Sequence, residues 1–478
     1  MSRFLKITAS LALAAALAGC TMAPKYERPS PALPVDWTAG AQVPAGTAGA
    51  TLADWRQVVA DEPMKRLIEL AIANNRDLRV AALNIEKAQA QYQITRADLL
   101  PKIDATAGSN MARTPARLSS SGEAVTSHSY TVGVGFSAFE LDLFGRIQSL
   151  KDAALEQFLA TEEARRSVEL SLVAEVGQAY LTLAADREQL ALAEEILATQ
   201  QDSLEIVKRR AEYGTAGDLD LSRAQTTVDT AQVQAARYQT KVVEDENLLA
   251  LLVGMPLSQD LLPAKKLADV APLAELPAGL PSEVLLRRPD VLAAEHQLKS
   301  ANANIGAARA RHFPSIGLTA FFGTASNEVN NLFQTGTGMW SFAPQIALPI
   351  FHAGAISAGV KAAEADKSIL VAQYEKAVQT AFREVSDSLS RRASLVRQVR
   401  AQDSLASASA RAYELSTLRY EAGVDGYLSK LDAQRSDATA RSGRIATRLE
   451  QAANTLTLYK VLGGGWNPAP EQGKDQGK

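Results

Sequence analysis

Tyr130-Thr131-Val132-Gly133-Val134-Gly135-Phe136-Ser137 sets a bulky apolar side chain at every second position and a small or polar one between. That period gives a strand one greasy face and one small or polar face, the pattern of a strand crossing a bilayer in a β-barrel. The alternation returns late in the chain. Ile316, Leu318, Ala320 and Phe322 alternate with Gly317, Thr319, Phe321 and Gly323, with Phe321 the exception. Trp340, Phe342, Ile346 and Leu348 alternate with Ser341, Ala343, Gln345 and Ala347. Ser-, Gly- and Asn-rich segments, residues 114–129 and 323–338, read as exposed hairpin loops, so each half of the chain carries a pair of strands. No stretch beyond the N-terminus is apolar enough for a spanning helix, and any crossing of a membrane falls to these strands.

The chain is written twice. Asn75-Arg76-Asp77-Leu78 is echoed by Arg288-Pro289-Asp290-Val291, Ala88-Gln89-Ala90-Gln91 by Ala301-Asn302-Ala303-Asn304, Arg96-Ala97 by Arg309-Ala310 and Pro101-Lys102-Ile103 by Pro314-Ser315-Ile316, all at an offset of 213 residues. Gly214, Gly217, Leu219, Ala224-Gln225 and Gly254 recur as Gly423, Gly426, Leu428, Ala433-Gln434 and Gly463 at an offset of 209. The change in offset puts a four-residue length difference among the strands and their loop. Self-similarity this long in one frame marks an internal duplication.

Each half opens with a helical pattern, over 62–98 and 282–311, stopped by Pro101 and Pro314. After the strands, 149–213 has no proline and one interior glycine, Gly177. A helix of that length reaches roughly 100 Å at about 1.5 Å per residue. Val176, Leu183, Leu190, Leu197 and Leu204 recur at seven-residue spacing, a coiled-coil seam. Residues 355–422 are the counterpart. A Gly-bearing turn follows in each half, then a return helix, 219–253 and 428–462, ended by Gly254 and Gly463. The domain reading is a signal peptide over 1–19, an extended linker over 20–60, repeats over 61–262 and 282–465 joined by a linker over 263–281, and a flexible tail over 466–478.

Arg3 and Lys6 precede an apolar run, residues 7–18, too short to span a bilayer. The run ends in Leu17-Ala18-Gly19-Cys20, which resembles a bacterial lipobox, and Cys20 is the only cysteine in the chain. The resemblance implies cleavage before Cys20 and covalent lipid on it, which anchors by burying methylenes. Thr21 follows, not Asp, which implies an outer-membrane address. Pro24, Pro29, Pro31, Pro34, Gly40 and Gly46 read as extended linker that lets the anchor and the folded body sit apart.

Bulk properties exclude much else. A net charge of −3 over 478 residues with no basic stretch argues against nucleic acid. Aromatics at 6% in an Ala-, Leu-, Gln- and Glu-rich body favour long helices over a large aromatic core. One cysteine allows no intrachain disulfide and no cysteine metal cluster. His128, His296, His312 and His352 are scattered, which argues against a metal site or catalytic triad. No cofactor is expected beyond the lipid on Cys20.

Four strands cannot close a membrane barrel, because an open edge in hydrocarbon leaves backbone groups unpaired at several kcal/mol each. Three copies would supply about twelve strands, within the known range. The expected fold is therefore an α+β membrane protein: a duplicated, long α-helical coiled-coil barrel continued by a trimeric twelve-stranded transmembrane β-barrel, four strands per chain.

Specific motifs sharpen this. The strand-to-helix joint Phe139-Glu140-Leu141-Asp142-Leu143-Phe144-Gly145-Arg146 has the counterpart Leu348-Pro349-Ile350-Phe351-His352-Ala353-Gly354. With them stand Leu286-Arg287-Arg288-Pro289-Asp290-Val291, the turn Arg419-Tyr420-Glu421-Ala422-Gly423-Val424 with Tyr427-Leu428, Leu431-Asp432-Ala433-Gln434-Arg435 and the ending Leu462-Gly463-Gly464-Gly465-Trp466. Together these resemble the outer-membrane factor family, the TolC-like channels, and within it the lipoprotein branch typified by OprM. The resemblance runs from Cys20 to Trp466, and it departs locally where His352-Ala353 stands in place of the Asp-Gly of many relatives.

The resemblance implies a homotrimer in the bacterial outer membrane, lipid-anchored, with its helical barrel in the periplasm. It implies a tripartite efflux pump in which a periplasmic adaptor and an inner-membrane RND transporter feed a passive exit duct for small molecules and drugs. No enzyme activity is expected. It also places an iris-like periplasmic gate at the helix turns. Leu428 matches a constricting leucine, Asp432 a gate aspartate and Asp220 an aspartate of the first-half turn. Arg419 and Tyr420 match residues whose polar links hold the turns shut. The competing reading has Asp432 merely solvating its turn with Arg435 as local partner. Alternatives for the whole chain are a channel for ABC-type protein secretion, a periplasmic coiled-coil lipoprotein without a pore, and a lipoprotein enzyme.

Overall fold

The computed structural model describes residues 21–30, 54–263, 266–270 and 282–464. The signal peptide, Cys20, residues 31–53, most of the 263–281 linker and the tail with Trp466 lie outside the described residues. Among the described residues the order is α1 (Trp55–Val58), α2 (Glu62–Asn74), α3 (Arg76–Ala97), β1 (Asp104–Thr114), β2 (Val125–Leu141), α4 (Arg146–Glu212), α5 (Asp218–Val253), α6 (Leu267–Val270), α7 (Pro289–Ala310), β3 (Ser315–Ser326), β4 (Gly338–Ala347), α8 (Ala355–Glu421) and α9 (Tyr427–Val461). No described helix is long and apolar enough to cross a membrane.

The chain folds as two compact units, and each draws on both repeats. The first takes the chain up to Ser30, Asn84–Glu162 and Ala293–Glu375, and holds the strands. The second takes the chain from after Ser30 to Leu83, Glu163–Leu292 and everything from Lys376, and holds the helix turns.

In the strand unit the four strands form one antiparallel sheet in the order β1-β2-β3-β4. Its register aligns the greasy positions into rows. Ala105 faces Val134, Val134 faces Phe322 and Phe322 faces Trp340, the last three being 48%, 70% and 75% exposed. Leu141, Ile316 and Ile346 form another row. A bulge between Phe136 and Phe139 carries β2 across a change of parity, with Ala138 at φ +54°. Because the bulge inserts there, Phe139 and Leu141 stay on the face already occupied by the even-numbered Val132, Val134 and Phe136. Phe321, the break in the β3 alternation, has a local reason. A Cβ on Gly133 would meet the tip of its ring at 2.5 Å and one on Gly323 at 2.9 Å, so the ring lies over that cross-strand glycine pair.

Some expected boundaries move. The hairpin loops shrink to 115–124 and 327–337, because Val125–Ser129 and the C-terminal end of β3 pair as strand although, Val125 apart, both their faces are polar or small. The expected helix over 62–98 is two helices. Asn75 breaks it in an extended conformation, and its Oδ1 accepts from the Leu78 amide at 2.9 Å as the cap of α3. In the second half a 3-10 turn, Ser282–Arg287, precedes α7, which starts on Pro289. The long helices α4 and α8 run 67 residues each, close to their expected bounds. Along the seam Val176, Leu183 and Leu204 are buried, while Leu190 and Leu197 are half-buried.

The first joint explains its motif. The Asp142 carboxylate accepts from the amides of Arg146 and Gln148 at 2.6 and 2.7 Å, capping α4, while Arg146 grips Glu140 through two bonds of 2.8 and 2.6 Å. In the second joint Ala353 sits at φ +47°, where an alanine is worse off than a glycine by about 1–2 kcal/mol.

One expectation is corrected. Residues 21–30 are extended but do not float free. The Thr21 and Ser149 hydroxyls lie 2.9 Å apart, Asn302 donates to the Pro24 carbonyl at 2.7 Å, and Arg28 pairs with Glu295, whose side chain is almost fully buried. Docking of this strap is a long-range property that a Pro-rich composition does not encode.

In the helical unit the duplication shows as paired contacts. Asn75 donates to the Leu252 carbonyl at 2.8 Å, and Arg288, its repeat partner, donates to the Val461 carbonyl at 2.8 Å. Leu252 and Val461 occupy the matching last turns of α5 and α9. Both contacts satisfy carbonyls that a helix end leaves open.

Candidate functional site at the helix turns

Each turn is closed by a left-handed glycine. Gly214 has φ +73° and Gly423 has φ +72°. Gly214 and Thr215 donate to the carbonyls of Ala211 and Arg210, and Gly423 and Val424 donate to those of Tyr420 and Arg419, so the caps are equivalent. Under the first turn Leu204, Val207, Ala224 and Val228 form a buried cluster, with Ala216, Leu221 and Tyr427 packed on it. Each buried Leu or Val there contributes about 1.5–3 kcal/mol. Tyr427 belongs to the second turn, so this cluster holds the two turns side by side.

A polar link crosses between the halves on top of the cluster. Arg210 at the end of α4 donates to the Tyr420 hydroxyl at 2.6 Å, and its guanidinium lies 4.8 Å from the ring centroid. Lys430 lies 5.4 Å from the same ring, and burial, with Arg210 nearby, pulls its ammonium below the usual lysine range. The Tyr420 and Tyr427 rings are 5.8 Å apart and tilted.

Arg419 does not cross. It binds Asp425 of its own turn through bonds of 2.6 and 2.9 Å, and that hydrogen bonding holds the Asp425 carboxyl below the usual carboxylate range. Arg210 is the repeat equivalent of Arg419, and Ala216 stands where the second turn has Asp425. With no carboxylate at the position equivalent to Asp425, Arg210 reaches the other half instead. Arg210 was not among the residues singled out from the sequence, although the offset of 209 that matches Gly214 to Gly423 also matches it to Arg419.

Leu428 is 59% exposed, and Leu219, its equivalent in the first turn, is 63% exposed. Asp432 is exposed on α9 and has no partner among the described residues; the local pair with Arg435 does not form. Asp220 is half-buried in the first turn of α5, its amide donating to the Gly217 carbonyl at 2.9 Å. Leu428 and Asp432 are one helical turn apart, so an exposed leucine and an unpaired carboxylate lie on the same face of α9.

The model of the outer membrane efflux protein family matches residues 67–255 and 280–464. The chain belongs to the outer membrane efflux protein family. It is 45% identical over 463 residues to the antibiotic efflux pump outer membrane protein ArpC of Pseudomonas putida and, to the same extent, to the toluene efflux pump outer membrane protein TtgC of that species, covering 96% of this chain and of each relative. The open state of the Neisseria gonorrhoeae MtrE outer membrane channel superposes with a TM-score of 0.84 at 39% identity, covering 93% of this chain and 98% of that one. This efflux protein is thus an outer-membrane channel with a periplasmic helical domain, the outer-membrane part of an efflux pump.

Proposed function

We propose that three copies of this chain form the gated exit duct of a tripartite pump, receiving small molecules and drugs from a periplasmic adaptor and an inner-membrane RND transporter. The observation that carries the reading is the four-stranded sheet whose outer strands, β1 and β4, each have one unpaired edge among the described residues. Such edges do not persist in hydrocarbon, and two further copies close them. The efflux of antibiotics and toluene named for the relatives supports a permissive duct for small, largely apolar compounds. The duct itself carries out no catalytic step.

The gate lies at the turns. Threefold symmetry makes rings of Leu428 and Leu219 and a ring of Asp432, a greasy constriction beside a cation-favouring one. Tyr420 and Arg210 latch the halves, Arg419 shapes its own turn, and Asp220 adds charge at the first. Cys20 carries the lipid anchor; the docking of Thr21 on Ser149, within the unit that holds the strands, supports this by bringing the start of the mature chain onto that unit.

Planar-bilayer recording tests the pore. Purified protein is expected to give discrete current steps that scale with salt conductivity. If neither the wild type nor the double variant Leu428→Ala/Asp432→Ala gave steps, the duct reading would fail.

A further inference from the structure

Away from the turns, two aspartates face each other across the first hairpin. Asp245 on α5 faces Asp186 on α4, and its side chain bonds to that of Asp186 when Asp245 is protonated. The Asp245 Oδ2 atom is buried and has no other partner among the described residues. The charges around the pair are few. Lys241 approaches Asp186 at 3.7 Å. Glu244 adds negative charge on α5. Arg187 is turned away: it donates to Glu246 at 2.6 Å and to the Pro263 carbonyl at 2.8 Å. Glu188 accepts from the Leu267 amide. One ammonium therefore faces the two aspartates and Glu244, so the surroundings stay negative even with Asp245 protonated and become more so when it ionises.

We propose that Asp245 keeps a proton that it donates to Asp186 across the α4–α5 contact, so that the helix pair is tight in mildly acid medium and loosens when Asp245 ionises. Burial, and then the neighbouring Asp186, push the Asp245 carboxyl up to about 6 from an ordinary 3.8. A carboxyl raised in the folded state holds its proton where the unfolded chain has lost it. Its contribution is therefore present at low pH and disappears as pH rises through about 6. The same hairpin ends in the turn carrying Arg210 and Asp220, so acidification stiffens the first-half side of the aperture. This is a property of α4 and α5 alone and does not depend on how the gate opens.

Hydrogen exchange of the full, detergent-solubilised protein tests it, read by mass spectrometry on peptides covering 183–190 and 241–249. After correction for intrinsic rates, exchange there is expected to be about tenfold slower near pH 5 than near pH 7.5. Asp245→Asn, which keeps the shape and removes the charge, should give slow exchange at both pH values. Asp186→Asn should act in the same direction. Equal corrected exchange at the two pH values in the wild type overturns the proposal. So does a pH difference that survives unchanged in both variants.

Discussion

Arg288→Ala is expected to destabilise the helical unit by about 1–3 kcal/mol. The guanidinium is only 9% exposed, and four bonds hold it: Asp290 at 2.9 and 2.7 Å, Glu384 at 2.9 Å and the Val461 carbonyl at 2.8 Å. Removing it takes the partner from two partly exposed carboxylates and leaves the Val461 carbonyl at the end of α9 without its donor, and it is the buried helix end that makes the loss costly. The first repeat supplies an internal control. Asn75 makes the matching carbonyl contact with no charge. Arg288→Asn should therefore recover the helix-end contact, leave the carboxylates unpaired and fall between alanine and wild type. Denaturant midpoints of the solubilised protein, followed by helix content, provide the measurement. A wild-type midpoint for Arg288→Ala would show that the cluster is not a structural clasp.

Opening the aperture should have the largest functional effect. Leu428→Ala/Asp432→Ala is expected to raise single-channel conductance severalfold and to increase drug leakage, while Asp432→Asn alone should chiefly reduce cation preference. The reason lies in the balance at the turns. The buried cluster holds the first hairpin together with Tyr427 packed on it, whereas the polar link between the halves at the turns is the exposed Arg210–Tyr420 bond. Exposed links of this kind contribute about 0.2–1 kcal/mol, weak enough for a docking partner to break three of them. Tyr420→Phe should thus shift the channel toward longer openings without unfolding the turn, since the ring stays packed beside Tyr427. Unchanged conductance and leakage in the double variant would remove Leu428 and Asp432 from the gate.

Much of this was legible in the sequence because it rests on period and repetition. The greasy face of β2, β3 and β4 shows in period two, and the long helices show in their freedom from proline. What stayed hidden is physically distinct. β1, Asp104 to Thr114, is made of small and polar residues apart from Met111, so it has no bulky alternation to read. The parity change at Ala138 is a backbone event. The break at Asn75 depends on a carbonyl that arrives from α5, and the strap from Thr21 to Arg28 depends on partners in α4 and α7. At the turns, Leu428, Asp432, Asp220, Arg419 and Tyr420 came from family likeness. Geometry then separated Tyr420, which reaches across the halves, from Arg419, which does not.

The central claim is that one chain supplies a third of a closed pore. Native mass spectrometry of the detergent-extracted protein measures this most directly. The account predicts a particle of three chains that holds together until the strands are unfolded. A dominant one-, two- or four-chain particle under the same conditions would contradict it.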